Sequence, residues 1–135
     1  MKTQPMSQQR TALARLEGKR NFALIMEMGT GKSWTALADA ERCYLGNKID
    51  AVLILAPKGV HSNWIRREIP EHLEVEALCY EWKGNPTSKK AKAGLDRLYQ
   101  RYEGHAPLRI FAINIDAAIT MAGFAAMEES GRAHV

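Results

Sequence analysis

Phe22-Ala-Leu-Ile-Met-Glu-Met-Gly-Thr-Gly-Lys-Ser33 is the stretch on which the reading of this chain turns. Its first five residues are too short and too uniformly apolar a run for an amphipathic helix, so Phe22 to Met26 reads as a buried strand. The strand breaks into a glycine turn that ends Gly31-Lys32-Ser33. Gly29 and Gly31 let the backbone turn and approach oxygen atoms with no side chain in the way. A helix opening at Lys32 sets the amides of Thr30, Gly31, Lys32 and Ser33 at a helix amino end, where the dipole also favours an anion. Such a loop cradles phosphate. Lys32 is expected to reach the β and γ phosphates, which makes it the catalytic candidate, and the Ser33 hydroxyl to bind Mg²⁺. One position departs from the full Gly-x-x-x-x-Gly-Lys-Ser pattern, which would put glycine at Met26. The bland alternative is a glycine turn between strand and helix that happens to contain Lys-Ser.

Outward from this loop, strands and helices alternate. Ser7 to Leu16 reads as a short helix with Ala12, Leu13 and Leu16 as its apolar stripe, broken by Gly18-Lys-Arg-Asn21. The helix from Lys32 runs to about Tyr44 and ends at Gly46-Asn47. Ala51 to Ala56 is a second buried strand closed by Pro57, and Val60 to Glu68 a helix stopped before Pro70. Val75 to Tyr80 is a third strand candidate. Lys83-Gly-Asn-Pro-Thr-Ser88 is turn chemistry, followed by a lysine-rich helix to about Tyr102. Leu108 to Ile113 is the fourth strand, and Asp116 to Glu129 an alanine-rich helix with Gly131 as its stop. Continuously apolar strands alternating with helices predict a parallel sheet covered on both faces. The fold expected is a single α/β domain over 1–135.

Composition narrows the class without naming a partner. A chain of 135 residues, 46% hydrophobic and 25% charged, is globular rather than disordered and too short for two ordinary domains. Its net charge of +4 is compatible with nucleic acid and equally ordinary for a soluble domain. Cys43 and Cys79 have no Cys-x-x-Cys spacing, and His61, His72, His105 and His134 are scattered, so neither zinc nor a redox couple is supported. The amino terminus has no apolar core of a secretory signal, and no apolar run approaches bilayer length. A soluble protein of a reducing, cytoplasmic compartment, without a membrane partner, is the expectation.

Glu27-Met28-Gly29-Thr30-Gly31-Lys32-Ser33 resembles motif I of the Swi/Snf-like branch of superfamily-two helicases and DNA translocases, in which the first glycine is usually absent. Pro5-Met-Ser-Gln-Gln-Arg-Thr-Ala-Leu13 resembles the upstream glutamine motif, with Gln9 the better match and Gln8 the fallback. Leu53-Ile-Leu-Ala-Pro57 followed by Asn63-Trp64-Ile-Arg-Arg-Glu68 is similar to motif Ia, and Tyr80 to Gly84 and Ile113 to Asp116 are weaker likenesses. The resemblance implies a RecA-like P-loop NTPase fold that binds ATP with Mg²⁺. It implies nucleotide contacts from Gln9, through the adenine edge, and from Met28, Gly29, Thr30, Gly31, Lys32 and Ser33. It also implies a nucleic acid partner, DNA foremost, along the turn after the motif Ia strand.

The residues of that turn agree in part. Lys58, His61 and Asn63 lie at the carboxyl end of a parallel strand, where open α/β sheets bind ligands, and a glycine with a helix amino end suits a backbone phosphate. Lys58 reads equally as a solvated loop lysine, and Trp64 as a core anchor. Lys83, Lys89, Lys90 and Lys92 read first as a solvated helix face and second as a phosphate track. Trp82 beside them is a thin candidate for base stacking.

The family's second acidic motif is the outstanding absence. No Asp-Glu pair occurs in the sequence, and Glu128-Glu129 falls in an expected helix rather than at a strand end. The expectation is therefore the amino-terminal part of a helicase ATP-binding domain, incomplete at the carboxyl end and lacking the second RecA-like lobe. Such a piece would belong to an ATP-dependent helicase or translocase without being able to hydrolyse ATP by itself. The alternative is a short non-catalytic nucleotide- or DNA-binding regulatory module. A P-loop kinase of small molecules fits Gly29 to Ser33 but leaves Asn63-Trp64 and the glutamine motif unexplained.

Overall fold

The computed structural model describes residues 1–19, 21, 23–25, 31–83 and 89–120. Its helices are α1 (Ser7–Leu16), α2 (Lys32–Leu45), α3 (Val60–Asn63), α4 (Ile69–His72), α5 (Lys89–Leu98) and α6 (Ile115–Ala118). A π-helical turn, Trp64–Glu68, joins α3 to α4. The strands β1 (Ala51–Ala56), β2 (Ala77–Glu81) and β3 (Leu108–Asn114) form one parallel sheet in the order β1-β3-β2. The last strand in sequence lies in the middle. Its composition explains the place: Leu108, Ile110, Phe111, Ala112 and Ile113 are all buried, so the strand needs cover on both faces.

Register sorts the side chains. Val52 pairs with Ile110 and Ile110 with Cys79, and these face α2 and α4, where Leu37, Tyr44, Ile69 and Leu73 complete an aliphatic cluster. Leu53 pairs with Phe111, and Phe111 with Tyr80, on the opposite face under α5 and α6. That second layer is aromatic. Tyr80 stacks on Phe111 at 5.9 Å between ring centroids, and Trp82 meets the same ring edge-on at 6.3 Å. Gly94 inside α5 follows from this packing, because a Cβ there would lie 2.2 Å from the Tyr80 ring. Trp64 packs partly buried against the aliphatic cluster, the core role expected of it.

The sequence reading needs correction in four places. Ala23, Leu24 and Ile25 are outside the sheet, and Ile25 is 95% exposed; Phe22 and Met26, the ends of the expected strand, lie outside the described residues. An apolar run of this length earns strand structure only from a neighbour, and among the described residues β1 pairs with β3 alone. The helix expected to stop before Pro70 instead continues to His72. The π turn makes this feasible: the Ile69 N–H bonds the Trp64 carbonyl five residues back, and Pro70 falls in the first turn of α4, where its missing N–H is tolerated. The lysine-rich helix ends at Leu98, short of Tyr102. The helix expected over Asp116 to Glu129 already ends at Ala118, with Ile119 and Thr120 in a turn after α6, and the part from residue 121 lies outside the described residues.

Candidate functional site

Gly31 sits at the amino end of α2 in a left-handed conformation (φ 80°, ψ 38°), which glycine adopts without the Cβ penalty. Its carbonyl accepts three hydrogen bonds, from Thr35 N at 3.1 Å, Thr35 Oγ1 at 3.2 Å and Gln9 Nε2 at 3.3 Å. Gln9, 4% exposed, closes the other side by accepting the Met6 N–H at Oε1, 2.6 Å away. A Cβ on Gly31 would come 1.9 Å from Gln9 Nε2. The absent side chain of Gly31 therefore makes room for the Gln9 amide, and ties α1 to the start of α2.

Lys32 is exposed and Ser33 half-buried on the first turn of the 14-residue α2. With Gln9 and Gly31 they line a cavity of about 500 Å³. An ammonium, a hydroxyl and the amides of a long helix's amino end are the donor set that a triphosphate with Mg²⁺ requires, so the residues present fit that group. Met28, Gly29 and Thr30 lie outside the described residues.

The same cavity is walled by residues that no local pattern joins. Trp34 Nε1–H donates to Thr3 Oγ1 at 2.9 Å, and the same hydroxyl shares a hydrogen bond with His72 Nδ1 at 2.7 Å. His72 Nε2 lies 3.6 Å from Glu68, one helical turn away. Below this strap, the amino group of Met1 pairs with the Glu41 carboxylate at 2.5 Å, which also accepts the N–H groups of Glu74 and Val75. Burial opposes ionisation of Glu41, but these bonds outweigh it and hold its carboxyl below the usual range. The Glu68–His72 spacing of four was the one signal available, and Thr3 lies 69 residues from His72.

A second cavity, about 780 Å³, opens at the carboxyl ends of the strands. It gathers Lys58 and His61 of the expected nucleic-acid set; Asn63 is exposed and not part of its wall. Lys58 is solvated at its rim. His61 is 5% exposed, and its Nε2 donates to the Trp82 carbonyl at 3.0 Å, fixing α3 to the end of β2. Its Nδ1 is buried with no partner among the described residues. Trp82 is buried too, its ring occupied by Phe111.

The dominant charges here are ones the sequence reading did not combine. Glu81, at the end of β2, accepts the Ser62 hydroxyl at one oxygen. Its other oxygen takes Arg66 Nε and Nη2, each at 3.1 Å, with Lys83 Nζ at 3.8 Å. Burial opposes ionisation of Glu81, yet the bonds from Ser62 and Arg66 and the charges of Arg66 and Lys83 outweigh it and keep its carboxyl below the usual range. Ser62 and Arg66 are one turn apart on the same helix face, the only local hint of the cluster.

A family model described as "Type III restriction enzyme, res subunit" matches residues 2–97. The match spans both glutamine and glycine segments and the turn after β1. No curated protein and no solved structure matches the chain.

Proposed function

The chain belongs to the family of type III restriction enzyme res subunits, an amino-terminal RecA-like domain of superfamily-two helicases with a P-loop NTPase fold, and from that premise we propose that it is the ATP-binding portion of a nucleic-acid motor. The observation that carries the proposal is the shared cavity of Gln9, Gly31, Lys32 and Ser33 at the amino end of α2. In this reading Lys32 holds the β and γ phosphates, Ser33 holds Mg²⁺ through its hydroxyl, and Met28, Gly29 and Thr30 complete the loop. ATP supplies the energy of phosphoryl transfer when bound. Gln9 has one amide N–H and one carbonyl lone pair in use, so each group keeps one further bonding position, the pair an adenine edge needs.

Nucleic acid, DNA foremost, is assigned to the second cavity, with Lys58 at its rim and Asn63 and His61 beside and beneath it. The Swi/Snf-like branch is supported by Glu27-Met28 before the glycines and by Asn63-Trp64 after β1. The sequence holds no Asp-Glu pair in 1–135, so these residues by themselves are expected to bind ATP without turning it over. A short non-catalytic nucleotide- or DNA-binding regulatory module is the second reading, which the same absence fits equally.

Titration calorimetry with ATP and with a triphosphate lacking adenine tests the assignment. Gln9→Ala is expected to weaken ATP more than the adenine-free ligand. Equal losses would reduce Gln9 to a strut between α1 and Gly31.

A further inference from the structure

The strand-end cavity contains its own anion. Glu81 projects from the end of β2, hydrogen-bonded to a hydroxyl (Ser62) and a guanidinium (Arg66) and ion-paired with an ammonium (Lys83), three groups of the kind that hold a phosphate. Exposure divides them sharply. The Glu81 side chain is 12% exposed, whereas Arg66 and Lys83 are 66% and 72% exposed. The cations therefore reach inward to the carboxylate with their outer surfaces open to solvent, on the wall of a cavity that also holds Lys58. His61 lines the same cavity, and its buried Nδ1 has no protein partner among the described residues.

We infer that Glu81 is a built-in competitor for the backbone phosphate of a nucleic acid, occupying the place formed by Ser62, Arg66 and Lys83 until a strand displaces it. The inference rests on the assignment of nucleic acid to this cavity and adds how that binding is restrained. A carboxylate and a phosphodiester each carry one negative charge and accept the same donors, so the exchange releases Arg66 and Lys83 to the strand while uncovering Glu81. Binding is thereby weakened by one internal anion, and fewer counterions leave the nucleic acid than the number of cations in the cavity suggests. Displacement also frees Ser62 and Arg66 from β2, so occupation of the cavity loosens the link between the α3 helix and the strand end.

The test is fluorescence anisotropy with a labelled DNA oligonucleotide across a salt series, on the whole chain carrying Glu81→Gln, Arg66→Gln or both. Glu81→Gln is expected to tighten binding by about 10-fold and to steepen the salt slope by roughly one counterion unit. In the Glu81→Gln background, Arg66→Gln should remove most of that gain. Glu81→Asp keeps the charge but withdraws it by one methylene, and should give a smaller gain; it serves where Glu81→Gln fails to fold. Unchanged affinity and slope in a folded Glu81→Gln or Glu81→Asp protein would overturn the inference and leave Glu81 a structural tie. Weaker binding would overturn it as well, making Glu81 a positioning residue for Arg66. Wild-type binding that falls with Lys58→Ala supports the nucleic-acid assignment separately. No binding by wild type or any folded variant would overturn that assignment, and the inference with it.

Discussion

The two cavities of this domain are closed by opposite means. At the amino end of α2, a neutral amide fills the space: Gln9 bonds the Gly31 carbonyl and the Met6 N–H while fitting against a glycine that has no Cβ. At the strand ends a charge does the work, with Glu81 drawing in Ser62, Arg66 and Lys83. The first arrangement depends on shape and short-range bonding, and salt and pH should scarcely affect it. The second depends on ionisation in a partly solvated setting, where screening by salt matters. The difference suggests a rigid frame for a ligand of fixed geometry and an exchangeable one for a polyanion.

The comparison breaks first at Gly31. Gly31→Ala would force a left-handed conformation on alanine and drive its Cβ into the Gln9 amide, at a cost of roughly 2–5 kcal/mol. Urea unfolding should show this loss, and adding Gln9→Ala should give back part of it; full additivity would mean that the two residues do not meet. Gln9→Ala alone removes the bonds to the Met6 N–H and to the Gly31 carbonyl and should cost about 1–3 kcal/mol, unchanged between low and high salt. A strongly salt-dependent loss would contradict a neutral closure.

A smaller effect is expected at Glu81, because its cationic partners are exposed: about 1 kcal/mol or less from Glu81→Gln at neutral pH. The sign follows from its lowered pKa. Its stabilisation is present above the unfolded carboxyl value of about 4.3 and is lost as pH falls through the folded value. The stability gap between wild type and Glu81→Gln should therefore close on acidification below pH ~4. A gap that persisted there would show that packing, not charge, holds Glu81. Least affected is Cys79, on β2, whose thiol burial pushes up to about 11. It should react slowly with a thiol reagent at pH ~8 until the sheet unfolds; rapid labelling of the native chain would show β2 opening independently of either cavity.

Much of the fold was legible where punctuation was strong. Ser7–Leu16 and Ala51–Ala56 have the bounds read from sequence, because Gly18 and Pro57 end them locally. Pro70 misled for the converse reason: its usual effect on a helix is cancelled by a π turn, which no local pattern in Trp64–Glu68 announces. Phe22 to Met26 carries the apolar character of a strand, but strand structure is conferred by a partner, and Ala23 to Ile25 have none in the described sheet. At the candidate sites, Lys32 and Ser33 were legible because the glycine loop sets them at a fixed spacing. Thr3 against His72, and Ser62 against Glu81, were not, because segments far apart in sequence meet there only through the crossovers of the sheet.

The central claim is that the amino end of α2 binds ATP through Lys32, and thermal unfolding of wild type and Lys32→Ala with and without MgATP tests it most directly. MgATP should raise the melting temperature of wild type, and the shift should vanish in Lys32→Ala, whose affinity falls by at least about 10-fold with the loss of a charge-assisted bond. An equal shift in both proteins would place the nucleotide elsewhere and contradict the account.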